Sequence, residues 1–464
     1  MPANPSAAIS AAGTRAAAKS AGGAPLSRRR FLATVAGAFA LPAAFPALAP
    51  TRALGRDPVV PAPSNRITLA LVGASQGMVN LERCLPFADV QVVAVCEADA
   101  LRGERAVGRV NQFYAGTGGA GGARLRRDFR EMFDRDAPDA AILAAPDHWH
   151  GIMAVEALRR GIDVFGEKPL AHTIAEGRAI CEAVRRHGRV WQSGSWQRSV
   201  PAFRRAAELV RSGALGKVSH AEVGTYGHIP DARPRPADYG RPPATLDYDM
   251  WVGPAAWTPY DSRVTHLRWR YVMNYGGGRL IDFVGHHYDI AQWALGLDAT
   301  GPLSVAGTGE VARVEPYDAL ADYEYTCEYA GGLTLRVGSK ITPGVKFFGE
   351  RGWLFVGRGR GINAPATLLA SSPEILDAPA PAAPVAGIKT VANHWRDFLD
   401  SVRSRAETIA PAEAGHRAAS VGHLAHTAIL TGRKLRWNAA TETVAGDPAA
   451  NALLRPAFRA PWGL

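Results

Sequence analysis

The chain has 464 residues, of which 47% are hydrophobic, so it can form two domains that each bury an apolar core. Its formal net charge is +11 at pH 7, but the sequence has no basic-aromatic stripe and no known nucleic-acid-binding module. We therefore expect no nucleic-acid partner. The cysteines lie far apart, which excludes a paired zinc or redox motif and favours buried free thiols at Cys84, Cys96, Cys181 and Cys327.

The N-terminal segment has the pattern of an export signal. Twin arginines in Ser27-Arg28-Arg29-Arg30-Phe31-Leu32 precede an alanine-rich apolar stretch that ends at Ala49. This arrangement is typical of a Tat signal, and the stretch is too short and too interrupted by proline for a membrane span. Residues 1–65 are therefore predicted to be a Tat signal and a proline-rich linker. The Tat export machinery would deliver the protein to the periplasm or leave it anchored on the outer face of the inner membrane.

A dinucleotide-binding Rossmann domain is predicted over residues 66–190. Residues 66–72 form an apolar strand, and the turn that follows is Gly73-Ala74-Ser75-Gln76-Gly77-Met78. The usual turn is G-x-G-x-x-G, because glycines let the backbone approach a pyrophosphate at a helix N-terminus. Only Gly73 fits strictly, since Ser75 replaces the second glycine and Gly77 fits only if one residue has been lost. The residues expected to contact the cofactor here are Gly73, Ser75, Gln76, Gly77 and Met78.

An acidic residue after the second predicted strand indicates which dinucleotide is bound. The strand covers residues 90–96 and Glu97 follows it, at about the separation where a carboxylate meets the adenosine ribose hydroxyls. A carboxylate there favours NAD(H) over NADP(H), because it repels a 2′-phosphate. Asp99 is the rival for this role, and a solvated loop position is the alternative for Glu97.

Two further strand ends carry polar motifs. Pro146-Asp147-His148-Trp149-His150 follows the apolar run 139–145, and Glu167-Lys168-Pro169-Leu170 follows the run 162–166. Alternating strands and helices predict a doubly wound parallel sheet with its ligand at the carboxyl ends of the strands. We expect His148 and His150 to line the cofactor pocket rather than to bind a metal, since no third ligand lies nearby.

Lys168 is the residue most clearly marked for function. Lysine is scarce in this arginine-rich chain, and Lys168 lies between an acid and a proline at a strand end. Proline fixes its own φ and permits a cis peptide bond before it, so the lysine side chain can be aimed. A chance lysine at a surface strand end is the alternative.

Residues 191–464 have the pattern of a second α/β domain. Longer alternating runs, such as 323–329 and 333–337, predict a largely antiparallel sheet with flanking helices. After three consecutive glycines, a helical period places Asp282 and His286 on one face, with Asp289 nearly on it. A carboxylate beside an imidazole raises the histidine pKa and orients the ring, so this cluster predicts a general base. Simple helix capping by the carboxylates is the alternative.

From about Arg66 to the C-terminus, these motifs together resemble the Gfo/Idh/MocA oxidoreductases. The matching segments are Pro-Asp-His-Trp-His at 146–150, Glu-Lys-Pro-Leu at 167–170, Asp-x-x-x-His at 282–286 and Asp-Ile-Ala-Gln-Trp at 289–293. The segments 393–398 and 415–417 are typical of its bacterial, often exported, branch. The glycine turn departs from the family, and so does Gly285, because the family's usual Asp-x-Gly-x-His has its glycine one position earlier.

The resemblance implies a Rossmann domain and an α/β domain whose open-faced sheet makes oligomer contacts, so a homo-oligomer is expected. It also implies that Lys168 contacts the reacting hydroxyl and the nicotinamide ribose, and that His286 is the base that takes the hydroxyl proton. Asp282 would hold substrate hydroxyls or tune His286. Pro146 and Glu167 would line the nicotinamide side.

The predicted function is that of an NAD(P)-dependent oxidoreductase of carbohydrate metabolism, acting on a hydroxyl of a sugar, sugar derivative or cyclitol. Because Tat exports folded proteins and free dinucleotide is scarce outside the cytoplasm, we expect tightly bound NAD(H). A redox-neutral NAD-dependent glycoside hydrolase and a non-catalytic dinucleotide- or carbohydrate-binding protein are the alternatives. Residues 228–269 are predicted to form the substrate mouth, and the candidate substrate contacts are Tyr226, Arg268, Trp269, His287 and Asp289.

Overall fold

The computed structural model describes residues 62–117, 121–227, 240–312, 314–359, 365–379 and 383–464. The predicted Tat signal and nearly all of the predicted linker lie outside these ranges, as do residues 228–239 of the predicted substrate mouth. Among the helices in the described ranges, none combines the length and the apolar character needed to cross a bilayer.

The first part of the described chain forms a six-stranded parallel sheet with the order β3-β2-β1-β4-β5-β6. Its strands are β1 Ile67–Val72, β2 Val90–Cys96, β3 Arg124–Arg126, β4 Ala140–Leu143, β5 Asp163–Gly166 and β6 Trp191–Ser193. The helices between them are α1 Gln76–Cys84, α2 Ala100–Gly116, α3 Phe129–Arg135, α4 His150–Arg159 and α5 Ile174–His187. This arrangement confirms the predicted doubly wound Rossmann-type sheet.

Strand β1 determines where a ligand can bind to this sheet. Its sequence Ile-Thr-Leu-Ala-Leu-Val is almost wholly buried, because helices cover both faces of the sheet. The strand pairs with β2 on one side and with β4 on the other, which is the point where the strand order reverses. A doubly wound sheet binds its ligand in the crevice outside the carboxyl ends of such strands.

The second part forms a nine-stranded mixed sheet with the order β13-β12-β11-β7-β10-β9-β8-β14-β15. Its strands are β7 Val218–Gly224, β8 Ser304–Val311, β9 Leu320–Glu328, β10 Thr334–Gly338, β11 Gly344–Gly349, β12 Gly352–Gly357, β13 Thr367–Ala370, β14 Leu435–Asn438 and β15 Thr443–Val444. Strands β7 and β10 pair in parallel, and the other recorded pairs of this sheet are antiparallel. The prediction of a second, largely antiparallel α/β domain is confirmed.

The second part of the chain also forms helices. They are α6 Pro201–Arg211, α7 Tyr248–Val252, α8 Gly278–Phe283, α9 Asp289–Leu295, α10 Pro373–Leu376, α11 His394–Ser404, α12 Ala412–Thr431 and α13 Pro448–Leu453. Along β9, Tyr323 and Tyr325 are buried in the core while Glu324 is exposed on the opposite face. This alternation shows that one face of the sheet is covered and the other meets solvent.

Helix α11 packs against the first sheet rather than the second. It buries Phe398 and Leu399 in the apolar cluster that contains Leu69 of β1. Trp395 also donates its indole N–H to Asn80 Oδ1 on α1 at 3.1 Å. The Rossmann core therefore includes a helix that lies, in the chain, between elements of the second domain.

The helical segment that carries Asp282 and His286 is irregular. Helix α8 ends at Phe283, Val284–Tyr288 form a π-helical turn, and α9 begins at Asp289. A π turn interrupts the regular spacing of an α-helix, and such turns occur frequently at functional sites. The carboxylates of Asp282 and Asp289 consequently reach different partners.

Asp289 belongs to a buried ion-pair cluster that anchors α9. The Arg198 side chain is 1% exposed, and it donates to Asp289 from Nε at 2.8 Å and from Nη2 at 2.7 Å. The same guanidinium donates two further bonds of 2.8 Å to Asp298, just beyond α9. Burial raises the pKa of Asp289 to about 6, although the charge of Arg198 opposes the rise. Arg198 thus links the first residue of α9, Asp289, to Asp298 just beyond the last.

We expect Arg198→Met to lower the free energy of unfolding by about 3–5 kcal/mol, because it leaves buried carboxylates without their counter-charge. Denaturant unfolding followed by circular dichroism measures this value. The matched control is Arg109→Met, which removes an arginine that is 64% exposed and paired with Glu82, and should change stability little. Equal stabilities of the two variants would contradict the anchoring role of Arg198.

Candidate active site

Lys168 and Asp282 form the central contact of the site. Lys168 follows β5 at the carboxyl end of the first sheet, and its peptide bond to Pro169 is cis. Its Nζ donates to Asp282 Oδ1 at 2.5 Å, and the two side chains are 15% and 11% exposed. Lys168 comes from the Rossmann part and Asp282 from α8 of the second part, so the fold brings together two predicted catalytic residues that are distant in sequence.

Asp282 is surrounded by positive charge. Arg279 Nη1 lies 3.3 Å from its Oδ2, and Arg270 Nε lies 4.0 Å from its Oδ1. Burial acts to raise the pKa of Asp282, but the charges of Lys168 and Arg270 outweigh it and hold the pKa below its usual range. Asp282 is therefore ionised at neutral pH. Its oxygens contact Lys168 and Arg279 rather than His286.

His286 lies beside this pair as a neutral imidazole. It is 6% exposed, and its buried Nδ1 has no hydrogen-bond partner among the described residues. Burial lowers its pKa well below 6.5, and the charges of Lys168 and Arg358 lower it further, outweighing the effect of Asp282. Asp282 acts to raise this pKa as expected, but burial and the two cations outweigh it, so the net shift is downward. A neutral imidazole still has the nitrogen acceptor that a general base needs.

Gly285 provides the space that Lys168 occupies against the helix. A Cβ at this position would lie 2.7 Å from Lys168 Cβ and 3.2 Å from its Cγ, closer than side chains normally pack. The shift of this glycine relative to Asp-x-Gly-x-His thus has a local reason, because any larger residue would meet the lysine stem. Gly285 is part of what lets Lys168 reach Asp282.

A cleft opens outside the carboxyl ends of β1, β2 and β4. Arg270 lines this cleft and also approaches Asp282 to 4.0 Å, so the cleft adjoins the Lys168–Asp282 pair. The predicted cofactor residues that line it are Gly73, Ser75, Gln76, Glu97 and Pro146. A ligand in the cleft would therefore extend from the glycine turn to the candidate catalytic residues.

The backbone of the turn after β1 requires glycine at position 73. Gly73 has a φ of +89°, and a Cβ there would lie 2.6 Å from the Ala144 carbonyl oxygen. Ser75 makes no side-chain cap to α1 and instead accepts from Arg102 Nη1 at 2.8 Å. The N-terminus of α1 is thus left available to an anion such as a pyrophosphate. The degenerate turn is compatible with dinucleotide binding.

Gly77 and Met78 pack against the sheet next to the turn and do not line the cleft. A Cβ on Gly77 would lie 2.6 Å from Leu71 Cδ1, so this residue allows α1 to pack closely on β1. Close helix–strand packing is the role of the third glycine in a dinucleotide-binding turn. Met78 packs against the apolar cluster on the same side of the sheet.

Glu97 lies at the carboxyl end of β2 and faces the turn. Its Oε2 accepts from the Ala74 N–H at 2.7 Å, and its Oε1 accepts from the Asp99 N–H at 3.2 Å. Burial raises the pKa of Glu97, although these hydrogen bonds oppose the shift. Asp99 instead caps α2 through the Leu101 N–H and lies 3.2 Å from His266 Nε2. Glu97, and not its rival Asp99, lines the cleft.

The other predicted cofactor residues support the wall of the cleft. His148 contacts two backbone carbonyls at 3.2 and 3.3 Å, and His150 contacts two at 2.8 and 2.9 Å. Glu167 accepts from Asn80 Nδ2 at 2.7 Å. Within the described part of the chain, no group of three or more His, Cys, Asp or Glu residues is arranged to hold a metal ion.

The predicted substrate residues are placed at different depths. Tyr226 is 43% exposed, and its ring centroid lies 5.0 Å from that of Phe283 on α8. His287 is fully buried, and its Nδ1 lies 2.6 Å from the Gly224 carbonyl oxygen. Tyr226 is thus accessible to a ligand, whereas His287 serves the junction between the π turn and β7.

The remaining three predicted substrate residues differ in whether they reach the site. Arg268 and Trp269 begin a 3₁₀ turn, Arg268–Tyr271, and Trp269 lines the dinucleotide cleft while being only 5% exposed. Asp289 is not brought to the site, because Arg198 holds its carboxylate in the buried ion pair.

Several side chains at the site carried no recognised sequence signal. Arg279 precedes Asp282 by three positions, a helical spacing from which its contact could have been inferred. Arg270, Arg358 and Trp196 have no local pattern, since only the fold brings them near Asp282 and His286. Asp147 stands in the quoted motif 146–150 but received no role there, and the residues outside the quoted matches are Trp196, Arg270, Arg279 and Arg358.

The parallel sheet, its glycine turn and the adjoining Lys168–Asp282 pair define a two-domain, dinucleotide-binding class of protein. The family model described as "Oxidoreductase family, NAD-binding Rossmann fold" matches residues 67–195. A second model, "Oxidoreductase family, C-terminal alpha/beta domain", matches residues 237–464. The chain belongs to the GFO_IDH_MocA oxidoreductase family.

Curated relatives match over part of their length. The scyllo-inositol 2-dehydrogenase (NAD(+)) of Bacillus subtilis strain 168 is 28% identical over 238 residues, which is 49% of this chain and 57% of that protein. A glycosyl hydrolase family 109 protein of Stenotrophomonas maltophilia strain K279a is 27% identical over 210 residues, which is 43% of this chain and 44% of that protein. The chain thus spans about half the length of the curated relatives it matches.

A solved structure shares the fold over most of the chain. The aldose-aldose oxidoreductase from Caulobacter crescentus, complexed with glycerol, has a TM-score of 0.59 and 17% sequence identity. The similarity covers 80% of this chain and 99% of that one. It supports the two-domain architecture described above.

We expect Gly285→Ala to push the Lys168 stem away from Asp282 and to lower the free energy of unfolding by about 1–3 kcal/mol through overpacking. Denaturant unfolding measures the change. Gly108→Ala on α2 is the matched control, because nothing lies within 4 Å of a Cβ added there. It should stabilise the protein by up to about 1 kcal/mol, since alanine is the better helix former. A gain for both variants would show that the contact between Gly285 and Lys168 is not tight.

Proposed function

We propose that this protein is an NAD(P)-dependent oxidoreductase that transfers hydride between a tightly held nicotinamide cofactor and a hydroxyl-bearing carbon. The substrate is a sugar, a sugar derivative or a cyclitol. The observation that carries the proposal is the cluster of Lys168, Asp282 and His286 beside Arg270, which also lines the dinucleotide cleft. The name of the Bacillus subtilis relative, an inositol dehydrogenase that uses NAD(+), supports the same chemistry.

The residues of the cleft fit a dinucleotide. Gly73 and the uncapped N-terminus of α1 would hold the pyrophosphate, and Glu97 would accept from the adenosine ribose hydroxyls. When bound, the cofactor supplies a hydride acceptor at its nicotinamide ring. Since a carboxylate at the end of β2 repels a 2′-phosphate, NAD(H) is preferred over NADP(H).

The three catalytic side chains have separate tasks. Lys168 donates a hydrogen bond to the substrate hydroxyl oxygen, and its charge stabilises the negative charge that develops there as the proton leaves. His286 is neutral and therefore takes that proton on a ring nitrogen. Asp282 holds the Lys168 ammonium in position through their 2.5 Å hydrogen bond. Loss of the hydroxyl proton and of a hydride from the same carbon leaves a carbonyl group.

Lys168→Met is expected to reduce hydride transfer about 100-fold or more, because it removes the charge that stabilises the developing oxyanion. Nicotinamide absorbance, followed with scyllo-inositol and a panel of hexoses, measures the rate. Lys340→Met is the matched control, since its side chain is 80% exposed and its ion pair is with Asp322 rather than with Asp282. The variant should still bind NAD, and undiminished turnover would disprove the role of Lys168.

The pH dependence of alcohol oxidation tests His286. The base form exists above the histidine pKa, and this pKa lies well below 6.5 because of burial and the charges of Lys168 and Arg358. We therefore expect kcat/KM to stay level as the pH falls to 6.5 and to decline only below it. Lys168→Met removes one of those charges, so the residual activity should decline at a higher pH than in the native protein. A decline centred on the ordinary histidine pKa would contradict this assignment.

The predicted Tat signal supports export of the folded, cofactor-loaded protein to the periplasm or to the outer face of the inner membrane. We expect mass spectrometry of the denatured exported protein to detect nearly one NAD(H) per chain, with little NADP(H). Glu97→Gln should raise the NADP(H) fraction, because it removes the charge that repels the 2′-phosphate. NADP(H) in the native protein would contradict the role of Glu97, and absence of nucleotide would contradict tight binding.

A redox-neutral glycoside hydrolase is the second candidate, and the identity to a glycosyl hydrolase family 109 protein favours it. Hydrolysis of nitrophenyl glycosides without net change in nicotinamide absorbance would support this candidate. Net reduction of added NAD by a hydroxyl substrate would support the dehydrogenase.

We also propose a homo-oligomer that uses the exposed face of the nine-stranded sheet.

A further inference from the structure

The site contains more positive charge than its carboxylates balance. Lys168, Arg270 and Arg279 all lie within 4.0 Å of the single carboxylate of Asp282. Among the described residues, Asp147 is a second acid near these cations; it is 4% exposed, and burial raises its pKa to about 7. A fourth cation, Arg358, is close enough to lower the pKa of His286, after burial and Lys168.

Arg358 lies against aromatic rings, and not against an acid, in the described part of the chain. It follows β12 and is half-buried, and its guanidinium carbon lies 5.4 Å from the Phe283 ring centroid and 5.8 Å from that of Trp196. Among the described residues, none forms a hydrogen bond or an ion pair with Arg358. The rings therefore support the guanidinium through stacking and cation–π contact, while its N–H donors remain available.

Arg279 adds a second guanidinium beside the same ring. Its guanidinium carbon lies 5.7 Å from the Phe283 centroid, and its contact with Asp282 is shared with Lys168. Two arginines around one ring repel each other, and the charge of Arg279 is one of the factors that act to lower the pKa of Arg358. An anion placed between them would relieve this repulsion and would accept from both.

We propose that the substrate carries a carboxylate, which Arg358 binds with the help of Arg279 while Lys168 and His286 engage the reacting hydroxyl. The substrate class is then a sugar acid, such as a hexuronic acid, rather than a neutral sugar or cyclitol. This inference rests on the proposed function for the identity of the reacting hydroxyl. The cofactor pyrophosphate does not account for Arg358, because its binding place is the N-terminus of α1 and Arg358 does not line that cleft.

The planar fork of an arginine pairs with two oxygens of a carboxylate, and it pairs in the same way with a phosphate. Comparison of hexuronates with hexose phosphates distinguishes the two anions. Tyr226, 43% exposed and packed on Phe283, provides an apolar surface next to the Arg358 fork for the sugar ring.

The test compares matched pairs of sugars on the full chain saturated with NAD. The probes are glucose, galactose and mannose, with their hexuronates and their hexose phosphates, and equilibrium affinities are measured by calorimetry. We expect at least one hexuronate to bind about tenfold or more tightly than its neutral partner, as a charge-assisted hydrogen bond predicts. Arg358→Gln should abolish this acid-to-neutral ratio, whereas Arg358→Lys should retain part of it.

The control variant is Arg336→Gln, because Arg336 lies on the exposed face of the second sheet and pairs with Glu222 and Glu324. It should leave the ratio unchanged. Neutral sugars that bind as tightly as the acids, phosphates that bind more tightly than the acids, or no binding by any probe would each overturn the proposal. An Arg358→Gln variant that keeps the ratio would do the same.

Nicotinamide reduction measured on the same probes separates the two proposals. Selective binding of a hexuronate without reduction of NAD would support the carboxylate site and contradict the dehydrogenase. Reduction of NAD by neutral sugars alone would support the dehydrogenase and overturn the carboxylate site. Reduction by a hexuronate, lost selectively in Arg358→Gln, would support both.

Discussion

The ion pair between Lys168 and Asp282 is the contact on which the rest of the site depends. One partner ends a strand of the parallel sheet, and the other lies on the helix that packs against the mixed sheet. Their 2.5 Å hydrogen bond therefore joins the two halves of the protein at the point where the dinucleotide cleft ends. Gly285 permits the contact sterically, and the buried Arg198–Asp289 pair anchors the helix beyond the π turn.

This pair also determines the protonation of the neighbouring groups. Because Asp282 is committed to Lys168, Arg270 and Arg279, it does not compensate the burial of His286, whose pKa falls and whose ring stays neutral. A proton acceptor next to a fixed cation is the combination that oxidation of a hydroxyl requires. The positive charge around Arg358 favours a substrate that carries a carboxylate, as we propose.

Local motifs were sufficient to predict much of this arrangement. The strand ends at Gly73, Glu97, Pro146 and Lys168 were identified because carboxyl ends of parallel strands meet at one edge of a sheet. The acid–base cluster was found from its helical spacing, but its electrostatics were predicted with the wrong sign for His286. Burial is the main cause of the low pKa of His286, and the charges of Lys168 and Arg358 add to it. Helical spacing does not reveal burial or cations that come from other elements.

The sequence by itself determined the two α/β domains and the dinucleotide-binding edge, and it marked Lys168, Asp282 and His286 as candidate catalytic residues. It could do so because periodicity and strand-end motifs are local properties of the chain. The tertiary structure alone decided three other features: the π turn between Asp282 and Asp289, the exclusion of Asp99 from the cleft, and the convergence of Arg270 and Arg358 on the site. These features depend on contacts between elements far apart in the chain, and on burial, which changes the charge of a group only after the surrounding elements have packed.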